Sequence, residues 1–196
     1  NIGKSLSNLG ESASKLLPNI ATDFINIAST MEEYKIQIES IVHSHEKAIE
    51  IFNKLYELYM NSRARMEDLV IAYRDLTAIE FNPTIEMMKT LVDTAMATGQ
   101  GSEGIKKITE SLIEMHSKEL DINDVLNDLE KTGIGATEIL KKQFGDVDLS
   151  TVNTNDAIKT LLDGMEEKYG GTIERMSNSW QSMTDKLHKD WVDLGY

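Results

Sequence analysis

The chain contains no cysteine in 196 residues, which excludes a disulfide framework, a thiol nucleophile and a zinc-thiolate centre, and suits manufacture in a reducing compartment. Proline is almost as scarce: Pro18 and Pro83 are the only two, so long stretches are open to helix. Aromatic residues make up 6% of the chain and hydrophobic residues 40%, proportions that fit helices with narrow apolar stripes. Positive charge is also short. Twenty basic against 33 acidic residues leave a net charge of -13, which opposes the counterion release that drives nucleic-acid binding, and no direct nucleic-acid contact is expected. No apolar run approaches the roughly 20 residues needed to span a bilayer, and the first residues lack the basic-then-apolar order of a signal peptide. The composition predicts a soluble segment of intracellular origin without a membrane span.

What is present is helical periodicity. Residues 1–28 are rich in Ser and Asn, and Lys4 and Lys15 offset Glu11 and Asp23; weakly spaced leucines suggest a helical arm or linker. Thr30 followed by Glu33 has the spacing of a capping box. Beyond it Tyr34, Ile36 and Ile38 alternate with polar residues as in a strand, so helix and a short hairpin over 34–42 both remain open there. From Ser44 the spacing of Ala48, Ile51, Phe52, Leu55, Leu58 and Tyr59 is helical, and a second helix runs from Met66 to about Ala78. Asn82 before Pro83 reads as an N-cap with proline at the first helical position; that helix runs to Gly99. Further helices are predicted over 103–117, after Asp121 to Gly133, and from Ala136 to Phe144 with Gly145 as its stop. The expected organisation is an arm at 1–28, a multi-helix folded region at 29–145, a polar loop at 146–155, and a long amphipathic helix at 156–196 capped by Thr154 or Asn155. The fold class is all-α.

That last helix carries the longest pattern in the chain. Ile158, Leu161, Met165, Tyr169, Ile173, Met176, Trp180, Met183, Leu187, Trp191 and Leu194 follow at steps of three or four, ten steps over 36 residues, a mean repeat of 3.6. This is the α-helical period and not the 3.5 of a strict coiled coil. Gly170 and Gly171 interrupt it, each costing about 1 kcal/mol against Ala, so a kink or hinge is expected there. The pattern is still running at the last residue and position 1 is Asn, so the chain is expected to be a piece of a longer polypeptide. Buried core is the ordinary explanation of such a seam. Trp and Met are also favoured at interfaces, and the helix is too long for the upstream core to cover. Ile173, Met176, Trp180, Met183, Leu187 and Trp191 are therefore the candidate protein-protein interface.

The other motifs fail on chemistry. Gly99, Gly101 and Gly104 have the glycine spacing of a dinucleotide fingerprint, but a helix precedes them where the mechanism needs a strand. His43, His45 and Glu46 lack a third ligand at a usable spacing, and His116 and His188 stand apart. Asp146, Asp148 and Ser150 resemble the start of a calcium loop, yet Thr151 occupies the glycine position and Ala157 that of the bidentate Glu. No catalytic constellation, metal site or cofactor is expected.

One family resemblance emerges from the motif order. Met165-Glu166-Glu167-Lys168-Tyr169-Gly170-Gly171, continuing as GTIERMSNSWQSMTDKLHKDW over 171–191, resembles a segment typical of tail tape measure proteins of bacteriophages and prophages. Residues 29–42 resemble the family's opening segment, 67–78 and 89–101 its next two helices, and 120–144 its Asp-Leu, Leu, Gly-Ile, Leu, Phe-Gly stretch, with Gly133-Ile134 in place. The resemblance covers most of 29–194. It departs before Glu67, where the family's Thr-Pro-aromatic turn is replaced by Ser62-Arg63-Ala64-Arg65-Met66, and over 1–28, which match little. The resemblance implies a non-enzymatic structural protein that templates tail-tube length, made in the bacterial host cytoplasm and then held in the lumen or tip of the virion tail. Its implied partners are other copies of itself and tail-tube, tail-tip or assembly-chaperone proteins. As one continuous helix 196 residues would span only about 290 Å, and the glycines and short helices favour a folded region beside the ruler. The alternatives are another helical scaffold or interaction protein of bacterial or phage origin, and a module of a tail-associated lytic enzyme.

Overall fold

Apolar stripes at helical spacing, several of them opened by a capping side chain or closed by a glycine, make helix follow helix. The computed structural model describes residues 26–117 and 121–180. These form an all-α fold, and no strand occurs among them. The helices are α1 (26–42), α2 (His45–Asn61), α3 (Met66–Ala78), α4 (Ile85–Ala97), α5 (Gly101–Ser117), α6 (Ile122–Glu130), α7 (Ala136–Phe144), α8 (Thr154–Tyr169) and α9 (172–180), with a 3-10 turn at Leu149–Thr151. Residues 1–25 and the seam positions Met183, Leu187, Trp191 and Leu194 lie outside the described residues.

The segment left open between helix and hairpin is helix. Met31, Tyr34, Ile38 and Val42 face the core, spaced i, i+3, i+7 and i+11, while Ile36 is 58% exposed on the opposite side. The apparent alternation came from Ile36 alone. Thr30 is no cap: it sits inside α1 and its hydroxyl donates to the Asn26 carbonyl at 2.9 Å, so the expected boundary at 28/29 falls within a helix. His43, at φ 51°, ends α1 and Ser44 caps α2 by accepting from the Lys47 N–H, which makes a tight helical hairpin.

Two further helices start at residues other than those expected. Asn82 does not cap α4; it takes a left-handed φ of 49°, and Thr84, in extended backbone, accepts from the Met87 N–H instead. The cap of α8 is Asn153, whose side-chain oxygen accepts from Asn155 and Asp156 N–H groups, so the polar stretch 146–155 holds a capped 3-10 turn and a helix start as well as loop.

Helices α4 and α5 are the centre of the packing. α4 is buried nearly all round, through Met88, Leu91, Val92 and Ala95, and packs against α2, α5 and α8; α5 also meets α3 and α6. Gly99 is the stop predicted, at φ 73°: Gly99 N–H donates to the Met96 carbonyl and Gln100 N–H to that of Ala95, the paired bonds of a Schellman motif. Gly104 lets α5 close on α4, since a Cβ there would lie 2.9 Å from the Ala95 Cβ. The glycine cluster is thus a helix-to-helix connection.

At Gly170-Gly171, where a kink or hinge is expected, the described part of the C-terminal helix divides in two. α8 buries Ala157, Ile158, Leu161 and Met165 and ends at Tyr169; Gly170 and Gly171 break the chain, and α9 starts at 172. α8 approaches α7 closely because Gly164 faces Ile139 without a side chain. A Cβ at 164 would run into the Ile139 Cγ2. Gly164→Ala should therefore destabilise the domain by about 1–3 kcal/mol despite its better helix propensity, and be strongly non-additive with Ile139→Ala. Thermal unfolding of the two single variants and the double variant measures this; additive effects would refute the close approach.

Candidate interaction surface at the C-terminal joint

The break at Gly170-Gly171 leaves α9 without a capping side chain of its own, because the residue before it is glycine. The cap comes from another helix. Asp93, on α4, is fully buried; its Oδ2 accepts from the Gly171 N–H at 3.1 Å and its Oδ1 from the Ile173 N–H at 2.7 Å. The carboxylate faces the positive end of the α9 dipole, where negative charge is favoured. Its charge is matched by Lys89, one turn earlier on α4, whose Nζ lies 2.8 Å from Asp93 Oδ2 and 3.1 Å from Glu174 Oε1. Desolvation pulls the Lys89 pKa down, but hydrogen bonds to Asp93 and Glu174 outweigh it and hold it above the ordinary lysine value. Glu174 is held below the usual carboxylate range by its own backbone N–H, against partial desolvation and with help from Lys89.

The rest of the joint is tied with equal care. The Tyr169 hydroxyl donates to the Ile134 carbonyl at 2.6 Å, fixing the end of α8 to the α6-α7 link. Thr90, one turn from Asp93, donates to Glu166 Oε2 at 2.7 Å. The Arg175 guanidinium reaches back to the Gly170 carbonyl at 3.0 Å and the Thr172 hydroxyl at 2.7 Å. A hydrogen-bonded charge buried this way is costly to leave unpaired, so the direction in which α9 leaves the domain is set by Asp93.

The candidate interface residues divide along α9. Ile173 is buried against the domain and belongs to the core. Met176 is half-buried, and Trp180 is 56% exposed. Together they line one side of an open groove of about 260 Å³ whose other side is Met60, Arg63 and Met96. Met60 is itself 62% exposed, so apolar surface from α2 and α9 meets here. Met183, Leu187 and Trp191 lie outside the described residues. The first half of the seam, Ile158 to Met165, is ordinary core.

A cleft of about 490 Å³ between α7 and α8 is lined by Lys142, Lys159 and Lys168, but Glu167, Asp163 and Glu138 neutralise them in exposed ion pairs. His45 pairs with Glu39, His116 lies edge-on to Phe81, and Asp148 caps the 3-10 turn through Ser150. Among the described residues no three His, Asp or Glu side chains converge as metal ligands, and no helix is long and apolar enough to cross a membrane. No family model, no curated protein and no solved structure matches the chain.

Sequence reasoning missed Lys89, Asp93 and Glu174. The i, i+4 spacing of Lys89 and Asp93 is that of any ion pair on a helix surface and does not mark a buried site. Two signals pointed elsewhere: Asp93 interrupts the apolar run Leu91 to Ala95, and a helix starting after Gly-Gly needs a cap from outside its own sequence. Asp93→Ala should strand the Gly171 and Ile173 N–H groups and lower stability by about 3 kcal/mol, with a melting point lower by roughly 10 °C. A loss under about 1 kcal/mol in thermal or urea unfolding would show that the cap contributes little.

Proposed function

We propose that the chain is a folded segment of a phage or prophage tail tape measure protein, a non-enzymatic structural component whose C-terminal helix docks on another copy or on a tail-tube, tail-tip or assembly-chaperone protein. The observation that carries the reading is the ordered resemblance over 165–191, in which Gly-Gly is followed by the Met and Trp seam. The all-α fold suits it, and so does the exposure of Trp180 where the seam leaves the core, since aromatic residues tend to carry the energy of helix-to-helix contacts. On this reading the domain is an assembly contact beside the length-setting part: the short helices of the described residues, folded on one another, convert few residues into length, whereas an extended helix gains 1.5 Å per residue. The protein would act in the host cytoplasm during assembly and then in the lumen or tip of the tail.

The test is genetic, in the phage or prophage that encodes the chain. In-frame deletion of codons 26–180 should abolish tail assembly seen by electron microscopy, and Trp180→Ala should reduce tail yield while the purified variant keeps its helicity and melts within about 1 kcal/mol of the parent, as an exposed side chain requires. Normal tails from the deletion would refute the tail role. Normal yield from Trp180→Ala would refute Trp180 as the contact.

A further inference from the structure

The hydrogen bonds at the Gly170-Gly171 break substitute, almost one for one, for those of an unbroken helix. In a continuous helix the Gly171 and Ile173 N–H groups would donate to the Glu167 and Tyr169 carbonyls, four residues back. In the bent chain both donors go to Asp93, at 3.1 and 2.7 Å. The Tyr169 carbonyl, which Ile173 would use, is taken by the Thr172 hydroxyl. The Gly170 carbonyl, which Glu174 would use, is taken by Arg175 at 3.0 Å. Side chains thus fill backbone positions that a straight helix would fill by itself.

The sequence keeps the straight alternative intact. Met165, Tyr169, Ile173, Met176 and Trp180 stay in phase across the break, at steps of four, four, three and four, so joining α8 to α9 needs no shift of face. No proline stands at or beside the joint to forbid the helix, and glycine enters the right-handed helical region freely. The bent form depends on Gly171 at φ 74°, a conformation that other residues rarely take.

We propose that Gly170-Gly171 is a two-position joint: a bent state latched by Asp93 on the α9 N-terminus, and a straight state in which α8 and α9 form one helix over 154–180 that carries Trp180 away from the domain. The joint is a property of the folded chain and does not rest on the tail reading. It swings the seam between a docked position, with Ile173 in the core, and an extended one in which the apolar face runs on past the end of the domain.

The absence of cysteine makes the joint directly measurable. Spin labels at Asn155→Cys and Asn178→Cys, on the exposed surfaces of α8 and α9, would be about 35 Å apart at their Cα atoms in a continuous helix and closer in the bent chain. Pulsed electron resonance should find the shorter distance in the otherwise unaltered chain. Gly170→Ala with Gly171→Ala should shift the main population to the longer distance with no loss of helicity by circular dichroism. Asp93→Asn should move the population in the same direction from the latch side. If the double alanine variant keeps the short distance, or loses helicity in place of lengthening, the joint has one position and the proposal fails; a short distance in Asp93→Asn with the fold intact overturns the latch.

Discussion

A carboxylate held in the core is stable only while its charge and its hydrogen bonds are satisfied, and at Asp93 the groups that satisfy it are the first N–H groups of a helix 78 residues further along the chain. That constraint organises the C-terminal third of the molecule. It fixes where α9 starts, it keeps Lys89 and Glu174 on one side of the joint, and it holds Ile173 in the core. The same device recurs in smaller form at α7, where Glu130 accepts from the Thr137 N–H across the Gly133–Gly135 link at 2.7 Å. Both helices begin after a glycine, which frees the turn but supplies no cap, and both borrow an acidic side chain from an earlier helix.

The consequence for function lies in what the joint leaves outside. α8 spends its apolar face entirely on the core, through Ile158, Leu161 and Met165, while α9 passes from buried Ile173 to half-buried Met176 to exposed Trp180 within two turns. A seam that reads as uniform in sequence therefore has two environments over its described residues. Ile158, Leu161 and Met165 hold the domain together; Met176 and Trp180 stand at its surface beside Met60, where apolar side chains of two helices share an open groove. Over the described residues this groove brings exposed Met60 and Trp180 together on one side of the molecule.

Helix existence was legible because periodicity and stops are local. Ala136 to Phe144, Met66 to Ala78, and the stops at Gly99 and Gly145 all follow from residues within a turn of one another. What was not legible depends on partners elsewhere. Ile36 made α1 look like a strand because an exposed isoleucine and a buried one read alike in sequence. The cap of α4 shifted from Asn82 to Thr84 because Asn82 took a left-handed turn, which asparagine tolerates as readily as capping. The glycine pair marked the hinge in sequence, but the Asp93 cap that sets its angle, 78 residues away, had no local signal.

The hydrogen bond from the Ile173 N–H to Asp93 holds the joint bent, and nuclear magnetic resonance can observe it directly. In an isotope-labelled, deuterated sample, scalar coupling across the hydrogen bond should link the Ile173 amide nitrogen to the side-chain carboxylate carbon of Asp93. Coupling of that nitrogen to the backbone carbonyl carbon of Tyr169 would instead mean that α8 and α9 are one helix at rest, and would contradict the account.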